Sequence, residues 1–386
     1  MKKVKIPLLG KIIVAIVLGI FMGSVFNEPL VRVFVTFNGI FSQFLGFMIP
    51  LIIVALVTSA IADIGSSAGK LLLMTVGLAF LDTILIGFIT YGVGSALFPG
   101  MVEGTNHMTV AKPEDLKPYF EVQIPAMLDV MSALVFSFAM GLGIAYNGSP
   151  TLKGCFSELQ HIISGVIAKV IIPILPLYIF GIFLNMTYSG EAYRILVVFA
   201  QIILIIVALH LFVLVYEFVI AGGLTKKNPL RLLLNMVPAY FTALGTSSSA
   251  ASIPVTLEQT KKNGVRDDIA GFTVPLCATI HMPGSMMKLT ACALTICLVN
   301  GMPHDFGLFV HFILLLSVCM VAAPGVPGGA VMAALGPLAS VLGFDADMQA
   351  LMIALYIAMD SFGTACNVTG DGAIALIVNR FAPKKQ

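Results

Sequence analysis

The sequence predicts an all-α membrane protein: eight transmembrane helices plus two re-entrant helical hairpins, related as inverted repeats. Three observations predict it. Of 386 residues, 59% are hydrophobic and only 10% charged, with a mean hydropathy of +1.02. A soluble chain keeps about a quarter of its residues charged, so this one needs lipid as its solvent. Apolar runs of roughly the 20 residues needed to cross a bilayer recur along the chain. Two further apolar runs break at their centres on Gly, Ser and Pro. The net charge of +2, with no basic tract interleaved with aromatics, excludes nucleic acid as a partner.

Spans are predicted, in order, at 10–27, 37–62, 70–98, 126–147, 156–185, 191–222, 267–300 and 347–380. The first follows MKKVKIPLLGK, which resembles a signal peptide. No small-residue cleavage site follows it, so it reads as a span. The third ends at Pro99-Gly100, where a polar extracytoplasmic loop is predicted over 99–125. Two segments remain, 228–260 interrupted by GTSSSAAS and 308–342 interrupted by APGVPGG. Each is too long for one helix. As hairpins, they leave Lys2, Lys3, Lys5, Lys70, Lys153, Lys226, Lys227, Arg231, Lys261, Lys262, Arg266, Arg380, Lys384 and Lys385 on one side. Arg32, Lys112, Lys117 and Arg194 fall on the other, with Asp305, Asp345 and Asp347. That asymmetry places both termini in the cytoplasm of a multi-pass inner-membrane protein. A single crossing by the first broken segment would strand Lys261, Lys262 and Arg266 outside.

The breaks are the expected site. Non-helical backbone at membrane depth is tolerated only where protein buries it or a cavity needs it. Half-helix N-termini suit carboxylates, unwound carbonyls suit cations, and paired interrupted segments point to a transporter's binding site. From Ser248 at the first tip to His281 in the next helix is 33 residues, and from Gly325 at the second tip to Asp360 is 35. In the last span Asp360, Thr364, Asn367 and Asp371 recur at helical spacing, which puts a carboxylate, a hydroxyl, an amide and a carboxylate on one face. Ionisable groups at this depth normally face a partner or a cavity.

Other features carry no separate chemistry. The six cysteines form no CxxC pair and read as small core residues. The methionines read as core filler, and His210 and Glu217, seven apart on one face of the sixth span, as structural polar contacts or headgroup-level residues. Ser285-Met-Met-Lys288 matches the S-x-x-K of serine acylases formally, but it lies at membrane depth without the accompanying motifs. No nucleophile–base set is evident, so no enzyme is expected.

The tip GTSSSAASIPVT, the second tip GVPGGA and the run DSFGTACNVTGD resemble the dicarboxylate/amino acid:cation symporter family, over about residues 10 to 380. That resemblance implies an elevator-type transporter assembled as a homotrimer, with no cofactor and with sodium, or else a proton, as the coupling ion. A trimerisation scaffold would comprise 1–69 and 126–190, and a transport domain 70–98 and 191–386. It also implies a substrate site at Ser247, Ser248, Ser249, Met282, Ser285, Val326, Asp360, Gly363, Thr364 and Asn367. There Asp360 would take an amino group, and Thr364 and Asn367 the side chain and carboxylate. Sodium would bind at Asn367 and Asp371, helped by backbone near Cys277 and Thr279.

The chain departs from the family in two places. Gly363 stands where acidic-substrate members carry an arginine, which binds a carboxylate bidentately. Without it a dicarboxylate would bury an unpaired charge, so a neutral amino acid is expected, with room left by Gly363. In the seventh span the family's Asn-Met-Asp-Gly-Thr is replaced by His281-Met282-Pro283-Gly284-Ser285. Pro283 and Gly284 keep the break, but an aspartate and an asparagine that help bind sodium are gone. The matching third-span positions are read as Thr75, Leu78 and Ala79, and that cation site as dismantled. Two charges are expected to compensate: Lys288 as a tethered cation paired with Asp82, and His281 as a proton carrier.

Overall fold

The computed structural model describes residues 8–66, 70–103, 116–190, 192–321, 323 and 328–382. Lys2, Lys3, Lys5, Lys112, Gly325, Val326, Lys384 and Lys385 lie outside them.

Among the described residues the structure is all helical: α1 (Leu8–Gly23), α2 (Glu28–Ser66), α3 (Lys70–Glu103), α4 (Val130–Asn147), α5 (Pro150–Val166), α6 (Ile172–Tyr188), α7 (Ala192–Thr225), α8 (Pro229–Asn235), α9 (Val237–Thr246), α10 (Ser249–Lys262), α11 (Asp267–Ile280), α12 (Pro283–Val299), α13 (Phe306–Val321), α14 (Gly329–Ser340), α15 (Ala346–Ala358) and α16 (Asp360–Phe381). A π-helical turn, Ile167–Ile171, fuses α5 to α6. Five helical stretches among the described residues are long and apolar enough to cross a membrane. The pair α15–α16 passes the same test together but bends by 61° at Met359. Gly10–Gly23 and Ser132–Asn147 are shorter apolar helices.

Several boundaries differ from the sequence reading, and three bear on the packing. Residues 99–103, read as loop, continue α3 past Pro99, because Phe98 and Val102 still bury in the last turn. The second helix starts nine residues earlier than the predicted 37, at Glu28, just after the first ends at Gly23. The last predicted span, 347–380, is broken at Met359 into α15 and α16.

The helices surround two centres, α2 and α16, with α14 and α15 in contact with both sets. α2 lies along α4, α5 and α6, and α1 crosses α6. α16 is enclosed by α3, α7, α9, α10, α11 and α12. The first interrupted segment folds as helix–tip–helix, α8–α9 then α10; in the second, α13 and α14 flank a tip that lies outside the described residues. The first tip turns on Ser247, held left-handed at φ 49°, and Ser248 caps α10 by accepting a hydrogen bond from the Ala251 N–H. Apart from Lys226, Ser247 is the only described non-glycine at positive φ, a strain that persists only where the surroundings enforce it. Here they do: its hydroxyl lies 2.6 Å from that of Ser361 at the start of α16.

The α1–α6 crossing depends on Gly19 and Gly23, whose G-x-x-x-G spacing lets helix backbones approach closely in lipid. A Cβ at Gly19 would lie 2.7 Å from the Phe180 carbonyl oxygen. Gly19→Leu is expected to destabilise the protein by about 1–3 kcal/mol, the usual cost of overpacking, read as a lower unfolding temperature in detergent.

Candidate substrate and ion site

Two helix breaks and the first hairpin tip converge on α16. α11 ends at Ile280, His281 and Met282 are non-helical, and α12 restarts at Pro283, which needs no N–H partner in a first turn. Met359 separates α15 from α16 in the same way. Three backbone donors, two at the α11–α12 break and one at the start of α14, find side chains. Met282 N–H donates to Thr83 Oγ1 (3.2 Å), Gly284 N–H to Asn367 Oδ1 (2.8 Å) and Gly328 N–H to Asp360 Oδ2 (2.8 Å). Asn367 Nδ2 donates to Ser285 Oγ (3.2 Å), which lies 2.9 Å from the Tyr356 hydroxyl. Close packing enforces the arrangement: a Cβ at Gly284 would meet the Gly363 carbonyl oxygen at 2.5 Å.

Two charged groups result. In the first, Lys288, buried to 1% exposure, donates to Asp360 Oδ1 and to the Met359 carbonyl oxygen, both at 3.3 Å. Its ammonium lies 3.8 Å from the centre of the Tyr356 ring, at cation–π distance. In the second, the His281 ring spans two carboxylates, Nδ1 to Asp371 Oδ1 and Nε2 to Asp82 Oδ2, each at 3.1 Å. The imidazolium, with N–H on both nitrogens, satisfies both. Tyr216 O–H donates to the other Asp82 oxygen (2.9 Å), and Glu217 Oε1 lies 4.0 Å from His281 Nε2. Among the described residues neither Glu217 oxygen accepts a hydrogen bond. Ligand atoms of Asp82, Glu217 and His281 lie within 4.8 Å of one another, all buried.

This geometry corrects three expectations. Lys288 pairs with Asp360 and not with Asp82, because α12 turns its side chain toward the break before α16 while Asp82 on α3 faces His281. Gly363 leaves no vacancy: a Cβ there would lie 2.5 Å from Lys288 Nζ, so the lysine fills the space a side chain would take. The α3 residues that reach the α11–α12 break are Asp82 and Thr83, one turn beyond Leu78 and Ala79 and two beyond Thr75. Thr75 spends its hydroxyl on the Leu71 carbonyl.

The remaining candidates are spread around this centre. Ser285, Asp360, Thr364, Asn367 and Asp371 are buried together, with the Thr364 hydroxyl bonded to the Asp360 carbonyl. Met282 is buried at the break, and Ser247, Ser248 and Ser249 are half-buried at the tip. The Cys277 carbonyl accepts the His281 N–H (2.8 Å). Thr279 is exposed and bonds its hydroxyl to the Leu276 carbonyl, so only its backbone could face an ion. Glu217, read as a structural contact, belongs to the His281 cluster. Tyr216 and Tyr356 were not anticipated, since a tyrosine in an apolar run looks like core. The signal for Glu217 was its charge at mid-helix.

A family model described as the sodium:dicarboxylate symporter family matches residues 8–381. The chain belongs to that family. Members of the sodium:dicarboxylate symporter family are transporters, not enzymes, and the apolar helices fit a multi-pass membrane protein. Relatives include the serine/threonine transporter SstT of Acinetobacter baumannii strains AYE and AB307-0294, each 28% identical over 388 residues, covering 95% of both chains.

His281 holds the second cluster together. Its replacement by Ala leaves three buried carboxylates facing one another and is expected to cost about 3–5 kcal/mol of stability, as when one partner of a buried pair is removed. Adding Asp82→Asn should recover part of that loss. A double-mutant cycle by thermal unfolding checks the coupling.

Proposed function

We infer that this protein is a secondary active symporter that imports a neutral amino acid, driven by sodium, through an elevator movement. One observation carries the substrate reading: the buried Asp360–Lys288 pair at the convergence of the breaks. The two charges sum to zero, so a zwitterion of zero net charge leaves the site neutral. An acidic amino acid would leave an uncompensated buried charge costing several kcal/mol. The ammonium goes to Asp360, and the carboxylate to Asn367 and the backbone around Ser248 and Val326. Ser285, Met282, Thr364 and Gly363 line the side chain. The SstT relatives, whose name gives serine and threonine, support a small neutral substrate.

The second cluster supports the ion reading. His281 supplies at most one positive charge to Asp82, Glu217 and Asp371, so a co-transported cation is required for balance at this depth. Asp371 serves that cation with Asn367 and the Cys277 and Thr279 carbonyls, and Asp82 and His281 couple it to the break. The family description favours sodium. A proton taken by the same cluster is the second reading, favoured by the orphaned Glu217 carboxylate.

The helix packing supports eight spans with two hairpins. α1, α2 and α4–α6 form a scaffold, presented to two further copies, and α3 and α7–α16 move as the transport domain. Both termini are cytoplasmic, in the inner membrane.

Labelled serine taken up into proteoliposomes under separate sodium and proton gradients tests these readings. Sodium-driven uptake that unlabelled neutral amino acids block and aspartate does not is expected. Proton-only uptake transfers the coupling role to protons. Uptake blocked by aspartate alone rejects the neutral substrate.

A further inference from the structure

Resting on the reading that the substrate ammonium binds Asp360, we propose that Lys288 is a tethered surrogate for that ammonium. It occupies Asp360 when the carrier is empty and withdraws toward His210 when substrate arrives.

Four observations carry this. Lys288 Nζ already holds the two acceptors a substrate ammonium would seek, Asp360 Oδ1 and the Met359 carbonyl. It lies where a side chain at position 363 would be, so it reaches the pocket only because residue 363 is glycine. Lys288 and Gly363 also line a cavity of about 100 Å³ between α7, α12 and the α15–α16 break, with Ile203, Ile206, Val207 and His210. His210 is 5% exposed, and its Nε2 has no hydrogen-bond partner among the described residues. A lysine stem carries its ammonium through four rotatable bonds, so one side chain can serve both positions. In the neutral tautomer protonated on Nδ1, His210 Nε2 is the acceptor waiting at the second.

The exchange has a consequence for the transport cycle. An empty carrier must return across the membrane with its site closed. Asp360 without a partner would be a buried, uncompensated charge, and Lys288 supplies the compensation internally. Loaded carriers have the substrate ammonium instead and do not need Lys288. The same lysine therefore competes with substrate for Asp360 and sets the apparent affinity.

The test measures serine uptake into empty proteoliposomes against exchange with serine loaded inside, for wild type and variants. In Lys288→Met, net uptake is expected to fall by about tenfold or more, as for a buried charge left unpaired. Exchange should fall by less than net uptake, and half-saturation should fall, because a competitor with a binding free energy has been removed. Lys288→Arg, which keeps the charge, should retain more net uptake than Lys288→Met. His210→Leu leaves the Lys288–Asp360 pair intact and should raise half-saturation in both modes without lowering the maximal exchange rate. Equal loss of uptake and exchange in a folded Lys288→Met protein overturns the proposal, as does loss of neither. If Lys288→Met does not fold, an unchanged half-saturation in His210→Leu overturns it. Absence of both modes in wild type overturns the substrate reading itself, and the proposal with it.

Discussion

A helix interrupted inside a membrane must have its freed backbone groups satisfied by protein, because lipid offers no partner. The rest of this structure depends on that constraint. The freed N–H groups of Met282, Gly284 and Gly328 are met by Thr83, Asn367 and Asp360, from α3 and α16. Each side chain that heals a break is thereby drawn to the same buried volume. Two of the three healing residues, Asn367 and Asp360, are also residues of the proposed site, and α16 supplies both.

The two ionic groups follow from how that volume is neutralised. Asp360 is compensated by Lys288, one to one, with Tyr356 beneath the ammonium. Around His281 the balance is incomplete: Asp371 and Asp82 each take a ring nitrogen, while Glu217 stands 4.0 Å away with no hydrogen bond. A site that is neutral when empty lies beside a cluster that is acidic when empty. That division suits a zwitterionic substrate bound next to a coupling cation.

Much of this was legible in the sequence. Gly, Ser and Pro at the centres of apolar runs marked the breaks, and the four polar residues of DSFGTACNVTGD marked the face of α16. Charge partners were not legible. Lys288 and Asp82 are both charges at membrane depth, and pairing them was reasonable from their rarity, but spacing along one helix says nothing of which neighbour it meets. Gly363 misled for a related reason. An absent side chain reads as empty space, whereas here a lysine from α12 fills it. Glu217 and Tyr216 sit in an unbroken apolar helix, where only tertiary packing reveals that they turn toward His281.

The central claim is that the breaks assemble one site for an amine-bearing neutral solute on Asp360. Calorimetric titration of serine into purified protein, with Asp360→Asn beside wild type, tests it most directly. Binding by wild type that disappears in Asp360→Asn, while that variant keeps its helical content and thermal unfolding transition, is the predicted result. Serine binding of equal strength in both proteins would contradict the account.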